Sequence, residues 1–188
     1  MKTNKLFLAS LLLIIGLMCV NGAMSQTATD NVTVNLMFKP IQTILVNPAQ
    51  KSVNIVYETE SDYSAGKTSD IQTDHLSVYS TGGFAVSVKA NGDFKRTEGG
   101  TIPVSDVKVI ADMGSTALGG ETVNTKALSA STAETIISSD KGGTALKYNI
   151  TYDNTPAGGS NSYIDKYVSP DDPESIYTAT ITYEIVAN

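Results

Sequence analysis

Hydrophobic and polar residues alternate along most of the chain with a period of two. The clearest stretch is "HLSVYSTGGFAVSVKANGDF", residues 75–94, in which two alternating runs flank the sequence Ser-Thr-Gly-Gly. Side chains that alternate in this way point to opposite faces of an extended strand, and adjacent glycines supply the backbone freedom that a tight turn needs. The stretch therefore predicts a β-hairpin.

The same pattern recurs from one end of the chain to the other. Further alternating runs, rich in Val, Ile, Thr and Tyr, are "NVTVNLMF", "QTILVN", "SVNIVY", "TIPVSDVKVIAD", "ETIISS", "LKYNITYD" and "YTATITYEIVA". No stretch after residue 25 keeps the 3.6-residue period of an amphipathic helix. We expect an all-β fold, an antiparallel two-sheet β-sandwich that is either immunoglobulin-like or jelly-roll-like.

The amino-terminal residues follow a different pattern. Lys2 and Lys5 precede an apolar run, and "AMS" supplies the small residues that a signal peptidase requires. The apolar run is about 15 residues long, shorter than the roughly 20 residues of a membrane-spanning helix. We expect residues 1–25 to be a signal peptide and residues 26–188 to be a single β-sandwich domain. The domain would be exported and would reside at the cell surface, in the extracellular space or in the periplasm.

The expected mature chain is acidic and contains no cysteine. Without Lys2 and Lys5, 11 basic residues face 19 acidic ones, a net charge of −8, and the single Cys19 lies in the signal segment. An acidic surface repels nucleic acid and anionic lipid headgroups. We therefore expect no nucleic-acid partner, no stable membrane span after signal removal, and stability that comes from an apolar core rather than from disulfides.

Few residues are available for catalysis. His75 is the only histidine, and the chain has no Gly-x-Ser-x-Gly motif. We expect His75 to face solvent at a strand edge, and we predict no enzyme activity and no cofactor. One alternative is a small hydrolase that uses the carboxylates of "YETESDY" or "SPDDPES". The second stretch also supplies weak calcium-ligand candidates, Asp171, Asp172 and Glu174.

Three tyrosines outside the alternating runs are candidates for ligand binding. Tyr63 lies in "SDYSAG", and Tyr163 and Tyr167 lie in "NSYIDKYV". Aromatic rings on loops can stack on sugar faces, or they can anchor the loops to the end of a sandwich. The first interpretation makes the protein a non-catalytic carbohydrate-binding or cell-wall-binding module, which is an alternative function.

The first alternating run suggests a different function. In "NVTVNLMF" the residues Val32, Val34, Leu36 and Phe38 share one face of a predicted strand. This alternation fits an ordinary edge strand, and it also fits a strand that one subunit donates to its neighbour, where it fills successive pockets. Self-association through this strand is therefore a hypothesis for function.

The signal segment, "NVTVNL", "SVYSTGGFAVSVKA" and "YTATITYEIVA" together resemble small secreted bacterial β-sandwich proteins, the spore-coat-U-like and fimbrial-subunit-like domains. The resemblance implies a cell-surface structural or adhesive protein whose partners are further copies of itself, other cell-surface proteins or glycans. The chain departs from the subunits of chaperone–usher fibres near its carboxyl end. Glu174 and Ser175 stand where those subunits have a glycine, and Ala187 replaces their penultimate aromatic residue. The disulfide that is common in such subunits is also missing.

Overall fold

The computed structural model of the chain describes residues 27–168 and 175–188. The chain divides into two compact units, residues 1–37 and residues 38–188. Residues 27–37 of the first unit form neither helix nor strand, and all of them are exposed. Every helix and strand of the described residues lies in the second unit. None of these helices is long and apolar enough to cross a bilayer.

Short strands make up most of the second unit. The described strands are β1 (Gln42–Val46), β2 (Gln72–Ser80), β3 (Phe84–Ala90), β4 (Phe94–Lys95), β5 (Thr101–Ile102), β6 (Lys108–Met113), β7 (Thr122–Val123), β8 (Thr125–Ala127), β9 (Glu134–Ser139), β10 (Gly143–Asp153) and β11 (Ile181–Ala187). The helices are α1 (Glu60–Ala65) and α2 (Thr155–Gly158), and 3-10 turns occur at Pro48–Gln50 and Val104–Asp106.

Two antiparallel sheets pack against each other. The first has the strand order β1-β2-β10-β6-β8 and the second β11-β3-β9-β7, while β4 and β5 form a separate two-stranded ribbon. Inward-facing residues of the central strands are almost fully buried, with Leu76 and Val78 of β2 and Phe84 and Val86 of β3 at most 1% exposed. The prediction of an all-β, two-sheet antiparallel sandwich is confirmed.

The stretch that predicted a hairpin has a different structure. β2 belongs to the first sheet and β3 to the second, so the two runs face each other across the core instead of pairing. The residues between them cross from one sheet to the other. Within this crossing, the Thr81 N–H donates to the Ile41 carbonyl at 3.1 Å. The hairpin prediction is therefore wrong. Both runs have an apolar face, and packing those faces against each other buries both of them.

One side of the sandwich is closed by a strand that changes sheets. β7 pairs with β9 of the second sheet, and β8 pairs with β6 of the first. Between them, Asn124 N–H donates to the Ile136 carbonyl at 2.8 Å, and Ala111 N–H donates to the Asn124 carbonyl at 3.3 Å. Leu128, Ile136 and the neighbouring Ile137 are at most 1% exposed. We call this the closed side.

Candidate functional site

The opposite side of the sandwich, which we call the open side, lies between β1 and β11. β1 ends the first sheet and β11 ends the second, and among the described residues neither has a strand on its outer edge. The two strands contact each other at this side without pairing. Each therefore presents a row of backbone N–H and C=O groups that another extended chain can pair with.

The apolar core is incompletely covered on the open side. The inward-facing side chains of β1 and β11 are only partly buried, although they pack on the core: Ile44, Val46, Ile181, Tyr183 and Ile185. One strand further in, Leu76 of β2 and Phe84 of β3 have no exposed surface. The apolar core is therefore incompletely covered at this edge of the sandwich.

The chain between β1 and β2 contains a further alternating segment. Residues 52–57, "SVNIVY", alternate between exposed and half-buried, but they belong to no described strand. Their backbone makes no hydrogen bond to another described residue. The sequence predicts a strand here, and that prediction is wrong. Backbone groups in this segment are consequently also free to pair.

A depression lies at the upper end of the open side, which we define as the end where β1 begins and β11 finishes. It has a volume of about 420 Å³ and is lined by Phe38, Lys39, Pro40, Gln42, Thr81, Gly82, Gly83, Ala187 and Asn188. Asn188 is fixed against β3, because its Nδ2 donates to the Phe84 carbonyl at 3.0 Å. The Nε2 atom of Gln42, another lining residue, is buried and has no hydrogen-bond partner among the described residues.

His75 lies in the interior next to the open side and is only 2% exposed. Its Nδ1 is 3.0 Å from Oε1 of Gln50, and its ring makes edge contacts with Tyr152 and Tyr183. The hydroxyls of these two tyrosines are 2.6 Å apart. Burial lowers the pKa of His75 below its ordinary value. The expectation of a solvent-facing histidine is therefore wrong.

A bulge in β2 explains the burial of His75. Asp74 has a positive φ of 52°, and the register between β10 and β2 shifts between Tyr148 and Ile150. Such a bulge breaks the alternation, so that His75 and the following Leu76 both point inward. Asp74 is itself fixed by Ser115, which donates from its backbone N–H at 2.8 Å and from its hydroxyl at 2.6 Å.

The residues proposed for strand donation lie outside the sandwich sheets. Val32, Val34, Leu36 and Phe38 are 87%, 78%, 80% and 90% exposed, and none belongs to a strand. The prediction that this run forms a strand of the sandwich is therefore wrong. Its apolar face has no sheet to pack on within residues 27–37, so the alternation is left unused there.

The structure brings the three candidate tyrosines together with two that sequence analysis missed. Ring contacts at 4.9–5.9 Å link Tyr63 to Tyr57, Tyr57 to Tyr163, Tyr163 to Tyr167, and Tyr167 to Tyr177. These residues come from three separate parts of the sequence, so no local pattern could have grouped them. Tyr63 and Tyr167 are half-buried and Tyr163 is 8% exposed.

Hydrogen bonds hold the centre of this tyrosine row. Asn154 is buried and accepts from the Tyr57 hydroxyl at 2.6 Å, while its Nδ2 donates to the Tyr163 hydroxyl at 2.9 Å. The Tyr163 hydroxyl in turn donates to Asp106 at 3.0 Å. Burial raises the pKa of Tyr163. Gly158 leaves room for the Tyr57 hydroxyl, which would meet any added Cβ. This network anchors the loops, and the Tyr163 ring offers no free face for stacking.

Of the two acidic clusters, "YETESDY" lies within the described residues, whereas most of "SPDDPES" does not. In "YETESDY", Asp62 closes a capping box with Thr59 at the start of α1 and binds Lys67 at 2.7 Å, and these hydrogen bonds lower its pKa well below the usual range. Its role there is structural. The calcium candidates Asp171, Asp172 and Glu174 lie outside the described residues. Within residues 27–168 and 175–188, no group of three or more His, Cys, Asp or Glu residues could hold a metal ion.

Comparison with protein-family models and with the curated proteins finds no match for the chain. The fold and the site therefore define the class by themselves. It is an all-β protein of two antiparallel sheets with one side closed by its own chain and the other side unpaired.

Proposed function

We propose that this is an exported structural protein of the bacterial cell surface that self-associates by strand addition. The segment Val32–Phe38 of one copy pairs with the open side of another copy. The observation that carries this proposal is the open side itself, where β1 and β11 present unpaired edges above partly exposed core residues. Edges of this kind are ready templates for a further strand.

The segment and the open side match in length and in alternation. Val32–Phe38 spans seven residues and places an apolar side chain at every second position. β11 is also seven residues long and directs Ile181, Tyr183 and Ile185 towards the core. A paired strand of this length would lay four apolar side chains over the partly covered core.

The energies involved are of the right size for a stable contact. Burying a large aliphatic or aromatic side chain contributes about 1.5–3 kcal/mol, and four such residues are available. Backbone pairing along the strand adds to this, and association itself costs roughly 4–15 kcal/mol.

The sequence features outside the sandwich agree with this function. The expected signal peptide at residues 1–25 would export the chain, and the acidic, cysteine-free composition of the remainder fits a protein that works without disulfides in an oxidising compartment. The resemblance to fimbrial-subunit-like domains points to the same role.

The proposal is tested by expressing the full chain with its own leader in a bacterial host and shearing the surface fraction from the cells. On a denaturing gel, an unboiled sample should give a ladder of multiples that collapses to the monomer on boiling. The variant Leu36→Asp should abolish the ladder, because it places a charge in the apolar face of the added strand. Since Leu36 is 80% exposed, folding of the sandwich should be unaffected.

The matched control is Asn35→Asp, which adds the same charge one residue away on the opposite face of the segment. It should leave the ladder intact. A wild-type sample that runs only as monomer in both lanes would contradict the proposal. Equal loss of the ladder in both variants would show that charge, and not the apolar face, controls association.

A further inference from the structure

The side-chain carboxamide of Gln42 contains a buried donor that lacks a hydrogen-bond partner among the described residues. Gln42 is the first residue of β1, its Nε2 atom is buried, and no acceptor lies within hydrogen-bond distance among the described residues. Buried N–H groups are nearly always paired, because burial without a partner removes their bonds to water without replacing them. An unpaired donor at a binding surface therefore indicates that its partner arrives with another molecule.

The position of Gln42 indicates which molecule that is. The residue lines the depression at the upper end of the open side, together with Lys39, the Thr81–Gly83 turn and the last residues of β11. A strand that pairs along β11 must pass this point. The arriving acceptor therefore belongs to one end of the incoming segment of a second copy.

The direction of the incoming strand decides which end reaches Gln42. β11 finishes at the upper end, so a strand antiparallel to β11 has its amino-terminal end there. Antiparallel pairing is the more stable arrangement. It also brings Asp30, the only charged residue among residues 27–38, towards Lys39. The reverse direction would bring the incoming Lys39 against the resident Lys39, which places like charges together.

On the basis of the proposed function, we propose that Gln42 and Lys39 form a polar receptor that fixes the register and direction of the added strand by binding Asp30 of the incoming copy. The carboxylate accepts a hydrogen bond from the Gln42 amide and pairs with the Lys39 ammonium. In a separate copy, one oxygen of Asp30 accepts only from the adjacent Asn31 N–H, at 2.8 Å, and the second oxygen is available for this contact. The apolar residues of the segment supply affinity, and the polar receptor selects one alignment among those that differ by two residues.

The first test replaces Gln42 by Leu, which has a similar length and no donor. The temperature at which the unboiled ladder dissociates should fall, and the association constant measured on purified full chain should drop roughly tenfold. Stability of the sandwich is measured in the Leu36→Asp background, which does not assemble. It should be unchanged or higher in the presence of Gln42→Leu, because an unpaired buried group has been removed. If the role of Gln42 were only structural, Gln42→Leu would instead lower the stability of the sandwich.

The second test is a charge exchange. Asp30→Lys and Lys39→Glu should each weaken the ladder, and the double variant should restore it, because every copy then carries a complementary pair. Thr29→Lys, which adds a positive charge next to Asp30, is the control and should weaken the ladder less than Asp30→Lys does.

The outcomes separate the two proposals. A wild-type chain without a ladder would overturn both self-association and the receptor. A ladder that is present in the wild type and equally strong in Gln42→Leu and Asp30→Lys would overturn the receptor alone. Loss in both single charge variants without recovery in the double variant would also overturn it.

Discussion

On the closed side of the sandwich, the chain passes from β7 in one sheet to β8 in the other through the single residue Asn124, whereas on the open side β1 and β11 have no strand between them among the described residues. On the closed side, Ile136 and Ile137 of β9 are 0% exposed, whereas Val123 of the edge strand β7 is half-buried. The inward residues of the open side keep part of their surface in contact with water.

This difference separates two ways of finishing a sheet. A strand that changes sheets supplies backbone partners to both edges and covers the core with the same few residues. Where no such strand exists, the edges keep unpaired groups and the core needs a cover from elsewhere. Two apolar alternating segments of the described residues belong to no sheet. Val32–Phe38 is exposed along its whole length, whereas residues 52–57 are half-buried on one face. The hypothesis of strand addition therefore accounts for both the uncovered open side and the unpaired segment Val32–Phe38.

The largest expected effect comes from shortening one isoleucine to alanine on each side of the sandwich and comparing the losses of stability. Ile137→Ala, at a fully buried position, should lower the free energy of unfolding by about 2–5 kcal/mol. Ile185→Ala on β11 should cost about half of that or less, because part of the side chain is already in water. Denaturant unfolding measures both in the Leu36→Asp background, which is proposed to prevent assembly. Equal losses would mean that the open side is as well covered as the closed side.

Much of the fold follows from the period-two pattern. The alternation in "HLSVYSTGGFAVSVKANGDF" marks Leu76, Val78, Phe84 and Val86 as core residues, and all four are buried. The last alternating run, "YTATITYEIVA", likewise contains a strand, β11. Alternation reports which face of a strand is apolar, and that property is local.

Pairing partners could not be obtained in the same way. β2 and β3 have a hairpin sequence, yet they belong to different sheets, because a short turn can join paired strands or cross between layers. Val32–Phe38 has a strand sequence without a sheet. His75 is buried because of a bulge at Asp74, and a single aspartate is too weak a signal to predict one. Each of these outcomes depends on residues distant in the sequence.

The second prediction uses His75 to sharpen the comparison, since it lies beside the open side and is the only histidine. Its pKa is lowered by burial from an ordinary value of 6.5, so the folded state resists protonation while the unfolded chain accepts a proton. The unfolding free energy should therefore be constant above about pH 7 and should fall as the pH drops below 6.5. For one proton the slope cannot exceed about 1.4 kcal/mol per pH unit.

The measurement is a series of denaturant curves between pH 7.5 and 5 on the Leu36→Asp background, with His75→Gln as the comparison. The variant should remove the slope in this range. Asp62 and Asp74 have lowered pKa values, and their contribution is lost only as the pH falls below their ordinary value of 3.8, so they do not interfere. A slope that persists in His75→Gln would assign the pH dependence to other groups.

The smallest expected effect tests what holds the closed side together. Lys126 of β8 and Glu134 of β9 form an ion pair on that side, with the charged atoms 3.8 Å apart and side chains 42% and 33% exposed. Exposed pairs contribute about 0–1 kcal/mol because water and salt screen the charges, and the 3.8 Å separation places this pair in the lower half of that range. Lys126→Met keeps the apolar stem of the side chain and removes only its charge. The unfolding free energy should change by less than about 0.5 kcal/mol, and raising the salt concentration should not destabilise the wild type.

A loss above about 1 kcal/mol would show that charge joins the two sheets at this edge. The closed side would then depend on ionic strength, and the strand crossing at Asn124 would no longer be a sufficient account of why one side of the sandwich needs no partner and the other does.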